Sequence, residues 1–167
     1  IHFTGESVRR APRPFLGAAI NPFTTPDYVP IRRLKQKVAA GADFIQTQLV
    51  FDLSRFGDFM RRACELGLDD AVFVLAGIPV VASRRACEVL SAVPGIHFPE
   101  ETARSLLAAS DVEAAGIRLA LESIAAVREM RGVDGVHLML LGPDHGALSE
   151  VASRLDAGSA GPGEPLA

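Results

Sequence analysis

The stretch GADFIQTQLVFD, Gly41 to Asp52, closes one helical pattern and opens a strand, yet it carries Gln46, Thr47 and Gln48 inside its apolar run. A buried parallel strand normally reads as an unbroken Val/Ile/Leu segment. Side chains alternate along a strand, so the two glutamines share one face and Thr47 takes the other. The glutamines are either a satisfied polar layer or groups presented to a ligand. An amide offers donors and an acceptor together, which suits a heterocycle with the same mixed edge.

Outward from this stretch, strands and helices alternate. FLGAAIN (Phe15 to Asn21) is a short apolar run stopped by Pro22, and Ile31, Leu34, Val38 and Ala42 then recur at helical spacing up to Gly41. After DFIQTQLVF, Asp52 and Ser54 are candidate N-caps for a helix whose face holds Phe56, Phe59, Met60 and Ala63, closed by Gly67. AVFVLAGIPVV (Ala71 to Val81) is a third strand. Ser83 caps a short helix to Leu90, and VPGIHFPEE leads to a second helix at Thr102 to Ala109. Asp111 caps a long helix through Met130, VDGVHLMLL (Val133 to Leu141) is the last strand, and a helix over Ala147 to Leu155 follows. Residues 156–167, rich in Gly, Ala and Pro, read as a disordered tail. IHFTGES at the start resembles the end of a strand, which suggests the C-terminal part of something longer.

Repeated βα units give an α/β chain with a parallel sheet. One truncated and four full strands fit a (βα)8 barrel of the TIM type, with this chain covering roughly strands 4/5 to 8. Half a barrel exposes sheet edges, so a completing N-terminal segment or oligomerisation is expected. An open doubly wound sheet is the alternative, but no Gly-rich phosphate loop occurs.

The 167 residues are 49% hydrophobic with a net charge of -3, enough to bury one core and without the basic stripe that nucleic-acid binding uses. No apolar run is long enough to span a bilayer, so a cytoplasmic protein with no membrane partner is expected. Cys64 and Cys87 read as free thiols, and the histidines His2, His97, His137 and His145 show no metal spacing. His137 reads as a hydrogen-bonded histidine inside the last strand, and His145, beside Asp144, as a loop residue. Polar residues collect at strand ends: Thr4 and Glu6, Asn21, Thr47 with Gln48 and Asp52, then Ser83 with Arg84. In a barrel these ends form the ligand site.

The ordered series FLGAAINPF, RLKQKVAAGADFIQTQLVFD, LAGIPVV, VPGIHFPEE and GVHLML resembles the methylenetetrahydrofolate reductase family from about Ile1 to Leu155. The resemblance implies a FAD-dependent barrel that reduces 5,10-methylenetetrahydrofolate to 5-methyltetrahydrofolate in one-carbon metabolism, with NAD(P)H or another electron donor. It implies pterin binding by Gln48 beside Thr47, and Lys37 near the FAD diphosphate. Asn21 and Thr4 would lie beside the flavin, and Glu6 would be the acidic residue between flavin and folate, where the family has Asp. Outside the resemblance, Lys37 reads as an exposed helix charge, Glu6 as a cap and Asn21 as a strand terminator. Where some members stack an aromatic residue on the pterin, this chain has ASRRA, so Arg84 is the candidate for that contact. The family's general acid and much of its cofactor contact come from strands absent here. A non-catalytic folate-binding or scaffold subunit is therefore the second reading. An aldolase is disfavoured by the lack of a strand-end Schiff-base lysine, and a pterin-dependent methyltransferase by the TQ string.

Overall fold

The computed structural model describes residues 14–142 and 145–158. Four parallel strands, β1 (Gly17–Ile20), β2 (Phe44–Leu49), β3 (Phe73–Val81) and β4 (Gly135–Leu141), pair in sequence order β1-β2-β3-β4. Helices α1 (Tyr28–Ala39), α2 (Leu53–Glu65), α3 (Arg84–Leu90), α4 (Glu100–Ala108), α5 (Val112–Arg128) and α6 (Gly146–Gly158) connect or follow them. A doubly wound sheet requires a reversal of strand order, and these strands have none. Right-handed crossovers in a sheet that grows in one direction put their helices on one face.

The buried side chains agree with this. Ile45, Val74, Ala76, Ile78 and Val80 of the sheet pack with Leu34 of α1, Phe56 and Met60 of α2, Ile124 and Val127 of α5, and Val151 of α6. A smaller cluster sits at the C-terminal ends of the strands. There Leu49, Phe51 and Val81 meet Cys87 and Leu90 of α3 and Leu106 of α4. Both cysteines are free, and burial pushes the Cys87 thiol up.

Asp52, Ser83 and Asp111 cap α2, α3 and α5, each accepting a backbone N–H three residues on. Ser54 lies inside α2 instead. The last helix runs to Gly158 rather than Leu155: Asp156 to Gly158 continue the helix expected to have ended, and residues 159–167 lie outside the described part. So does the truncated first strand with Thr4 and Glu6. At the N-terminal ends of the strands, Asp43 Oδ2 accepts from Leu16 N at 2.7 Å and Asp134 Oδ2 from Val74 N at 2.7 Å, tying neighbouring chains in register.

Strand β2 is not regular. Its register with β3 shifts between Gln46 and Leu49: Gln46 pairs with Leu75, but Leu49 pairs with Gly77. One extra residue on β2 makes a β-bulge at Thr47 and Gln48. A bulge breaks ladder bonds, and two side chains repair this one. The Thr47 hydroxyl accepts the Gly77 N–H at 2.9 Å and donates to the Gln48 carbonyl at 3.0 Å, so it is inserted into the ladder as a relay. The second orphan is the N–H of Leu49, which lies beyond the end of β1, since Ile20 pairs with Thr47. Gln48 Oε1 accepts it at 3.0 Å. The ladder resumes with Val50 N donating to Gly77 O at 2.8 Å. Gly77 is bare of necessity: a Cβ there would come within 2.6 Å of the Thr47 carbonyl and 3.1 Å of the Gln48 carbonyl.

Thr47→Val tests the relay. Valine matches threonine in shape and is at least as apolar, so if Thr47 only filled space the change would be neutral or stabilising. Because it strands the Gly77 N–H in the interior, we expect urea unfolding to show a loss of about 1–3 kcal/mol. Amide exchange at Gly77 should accelerate with it.

Two glycines make a second test on helix packing. A Cβ on Gly116 of α5 would run into the Val81 carbonyl, whereas one on Gly57 of α2 would meet only the Met130 Cε at 3.9 Å. Gly116→Ala is expected to lower the melting temperature through a loss of about 3 kcal/mol. Gly57→Ala should raise it, through a gain of about 0.5–1 kcal/mol from helix propensity.

Candidate functional site

The face of the sheet turned away from α1, α2, α5 and α6 carries a groove of about 300 Å³ lined by Ala19, Ile20, Asn21, Gln46, Thr47, Gln48, His137 and Met139. That is at the small end of the range for small-molecule sites. Its walls are β1 and β2 on one side and β4 on the other. The strand between them contributes Gly77, whose Cα pairs with Leu49 and with His137. Gly77 places no side chain between the β2 and β4 walls at that level, and the carbonyls of Thr47 and Gln48 pack over it instead.

Each expected site residue among those described has a definite place. Gln46 and Gln48 are half-buried and both line the groove, while Thr47 between them is 4% exposed. All three residues reach the groove, because the bulge interrupts the strict alternation expected of them. The Thr47 hydroxyl is fully engaged in the bulge, so its contribution to the groove is to hold Gln48. With Oε1 of Gln48 bonded to Leu49 N, its amide N–H groups remain available to a ligand.

Asn21, at the end of β1, also lines the groove, but its amide is already employed. Oδ1 accepts from Phe23 N at 2.9 Å, turning the chain after the strand, and Nδ2 donates to Gly95 O at 2.7 Å in the connection between α3 and α4.

Lys37 is not in this cluster. It occupies the last turn of α1, at the end of the helix that leads to the start of β2, on the order of 14 Å along the axis from Tyr28. Arg84 is the first residue of α3, exposed, and does not line the groove. Thr4 and Glu6 lie outside the described residues.

Two histidines have surroundings that the sequence does not reveal. His137, read as hydrogen-bonded within its strand, has a buried Nδ1 with no hydrogen-bond partner, and it lines the groove. His97, which shows no metal spacing, meets Asp52 across 45 positions, Nε2 to Oδ2 at 3.2 Å. Asp52 is the α2 N-cap and gives Oδ1 to Arg55 N at 2.9 Å, so the one carboxylate fixes both the helix and the histidine. His97 also stacks on Phe23 with centroids 5.4 Å apart, and Phe98 packs on Phe51 at 4.5 Å. Together with Asn21 to Gly95, these contacts fasten the segment before α4 to the C-terminal ends of β1 and β2. Arg55 joins the same corner, 5.8 Å above the Phe23 ring and 3.5 Å from Asp27.

His145 is exposed and its carbonyl accepts from Ser149 N in α6; Asp144 lies outside the described residues. No group of three or more His, Cys, Asp or Glu suited to a metal ion occurs among the described residues, and no helix among them is long and apolar enough to cross a membrane.

A solved structure from Clostridium thermocellum, of a protein described as binding two copies of 5-methyl-5,6,7,8-tetrahydrofolic acid, superposes with a TM-score of 0.65 at 15% identity. The match covers 86% of this chain and 53% of the other, so this chain spans about half the length of that protein. At that identity the likeness is one of fold. The sequence itself gives the closer relation: residues 25–155 match methylenetetrahydrofolate reductase. That span takes in the Thr47–Gln48 bulge, Gly77 and the β4 wall with His137. The chain belongs to the methylenetetrahydrofolate reductase family.

Proposed function

We propose that this chain forms the folate-binding half of a flavin-dependent reductase that converts 5,10-methylenetetrahydrofolate to 5-methyltetrahydrofolate. The observation that carries the reading is the groove over Gly77, where a bulge presents the Gln48 amide beside Gln46. A pterin has donors and acceptors side by side on one ring edge, which an amide with one anchored oxygen and available N–H groups can pair. Family membership supports the chemistry, and the folate bound by the Clostridium thermocellum protein supports the ligand class.

In the same reading the four strands are strands 5 to 8 of a (βα)8 barrel, and the groove face is the barrel interior near its C-terminal mouth. Sequential parallel order with helices on one face supports this. The other four strands, from an N-terminal segment or another chain, would close the edges at β1 and β4. Residues 1–155 form the reductase part and the Gly/Ala/Pro-rich end a tail, in a cytoplasmic enzyme.

FAD enters through family membership alone. Among the described residues Lys37 stands apart from Asn21, and the Asn21 amide is engaged, so they do not by themselves assemble a flavin site. Lys37, Thr4 and Glu6 belong to the reading as residues that the completed barrel would bring to the cofactor and to the folate, with Arg84 at its edge. NAD(P)H or another donor would supply the electrons. The second reading, a folate-binding subunit without catalysis, is favoured by that same lack of an assembled flavin site.

The experiment takes the protein expressed from its complete reading frame and titrates it anaerobically with 5-methyltetrahydrofolate while its visible spectrum is recorded. A yellow protein that bleaches is expected. Binding of the folate to a colourless protein that added FAD does not colour would select the non-catalytic reading. Gln48→Glu keeps an oxygen for the Leu49 N–H but replaces the amide donors. It is expected to weaken folate binding about tenfold, with flavin content and melting temperature unchanged. Unchanged folate affinity would remove Gln48 from the site.

A further inference from the structure

Two buried side-chain polar atoms among the described residues lack a hydrogen-bond partner, Asp69 Oδ1 and His137 Nδ1. Asp69 has a structural explanation, because its other oxygen takes Arg131 Nε at 3.2 Å on the outer, helical side of the molecule. His137 has none. Native interiors rarely leave such an atom unpaired, since it loses water without gaining a partner. Nδ1 is itself shielded in the ligand-free fold, and a turn of the ring, which lines the groove, is what brings it to a ligand.

Its position supports this. His137 is on β4 and pairs through its Cα with Gly77; Leu49, next to Gln48, pairs with Gly77 from the other side. Two inter-strand spacings, roughly 9–10 Å, separate β2 from β4. The strand between them is bare because the bulge carbonyls exclude any Cβ at Gly77. The one constraint therefore shapes β2 and keeps any β3 side chain from standing between Gln48 and His137.

We propose that His137 is a specificity-determining residue of this groove: its Nδ1 forms a hydrogen bond to a flat heterocycle lying over Gly77, whose opposite edge is held by Gln48. Met139, two residues along on the same wall, gives the ring an apolar contact. The inference rests on the folate reading and deepens it, because it makes recognition two-sided. A ligand with polar atoms on one edge only would leave His137 unpaired and bind more weakly.

The test uses three variants of the protein from its complete reading frame, with 5-methyltetrahydrofolate as the probe in calorimetric titration and with thermal unfolding of the ligand-free protein. His137→Phe keeps the ring and removes Nδ1. Its affinity is expected to fall about tenfold. Its melting temperature should not fall, because an unpaired polar atom contributes nothing to the free fold. His137→Asn places an amide where Nδ1 was and is expected to recover binding to within about threefold of wild type. A merely structural histidine would give the reverse pattern: wild-type affinity in His137→Phe, or affinity and melting temperature falling together in both variants. Either result overturns the proposal. If the wild type does not bind the folate, the folate reading fails and this inference with it. If Gln48→Glu binds normally while His137→Phe does not, the assignment of Gln48 fails and that of His137 stands.

Discussion

The structure turns on a hydroxyl placed inside a β-ladder. Thr47 Oγ1 stands between the Gly77 N–H and the Gln48 carbonyl, and this lets β2 carry one residue more than β3 without stranding a buried donor. Much of the site follows from that insertion. The displaced carbonyls of Thr47 and Gln48 press against β3 and demand glycine at position 77. The bare glycine lets those carbonyls pack against β3. The resumed ladder at Val50 then sends the chain out at Phe51 and Asp52, where the carboxylate caps α2 and holds His97. A hydrophobic residue at 47 would keep the packing and lose the pairing, and the pairing is the less replaceable of the two.

The two faces of the sheet divide the tasks. On the helical face, Ile45, Val74, Ala76, Ile78 and Val80 are buried against four helices and set stability. The strand starts add the carboxylate ties of Asp43 and Asp134. On the other face the residues of β1 and β4 are only half covered, and the polar groups gather toward the strand ends. The α3–α4 segment bridges the two regions. Leu49, Phe51 and Val81 give it an apolar seat, while Asn21, Asp52 and Phe23 fasten its connecting loop. Asn21 and Asp52 thus serve the architecture at the strand ends, while the glutamines and His137 line the groove.

The sequence made the element order legible, because the periodicity of Phe56, Phe59, Met60 and Ala63, the caps at Asp52, Ser83 and Asp111, and the apolar runs of β3 and β4 are local signals. The family was legible in the KVAAGADFIQTQLVFD string. What local signals do not carry is register. Nothing in IQTQL announces an extra residue against β3, since a bulge is defined by the partner strand. GIPVV does contain the matching glycine, but a lone strand glycine has several meanings. The His97–Asp52 contact spans 45 positions and is fixed by the fold of the α3–α4 insertion, so no spacing rule reaches it. Lys37 is a different case: the motif that carries it is a local signal, and it stands in the last turn of α1, outside the groove lining.

The opening puzzle of a polar triad in a buried strand has a double answer, and the two parts reinforce each other. Thr47 and Gln48 satisfy the two donors that the bulge leaves over, which is reason enough for polar residues at those positions. Gln48 does so with its oxygen only. An amide whose oxygen is tethered to its own backbone has lost most of its rotational freedom before any ligand arrives, so its N–H groups are offered at lower entropic cost than those of an untethered long side chain such as Arg84. Structural and recognition roles are usually weighed as alternatives for such a residue. In the folate reading proposed above the two coincide, because the backbone bond is what holds the Gln48 amide rigid in the groove.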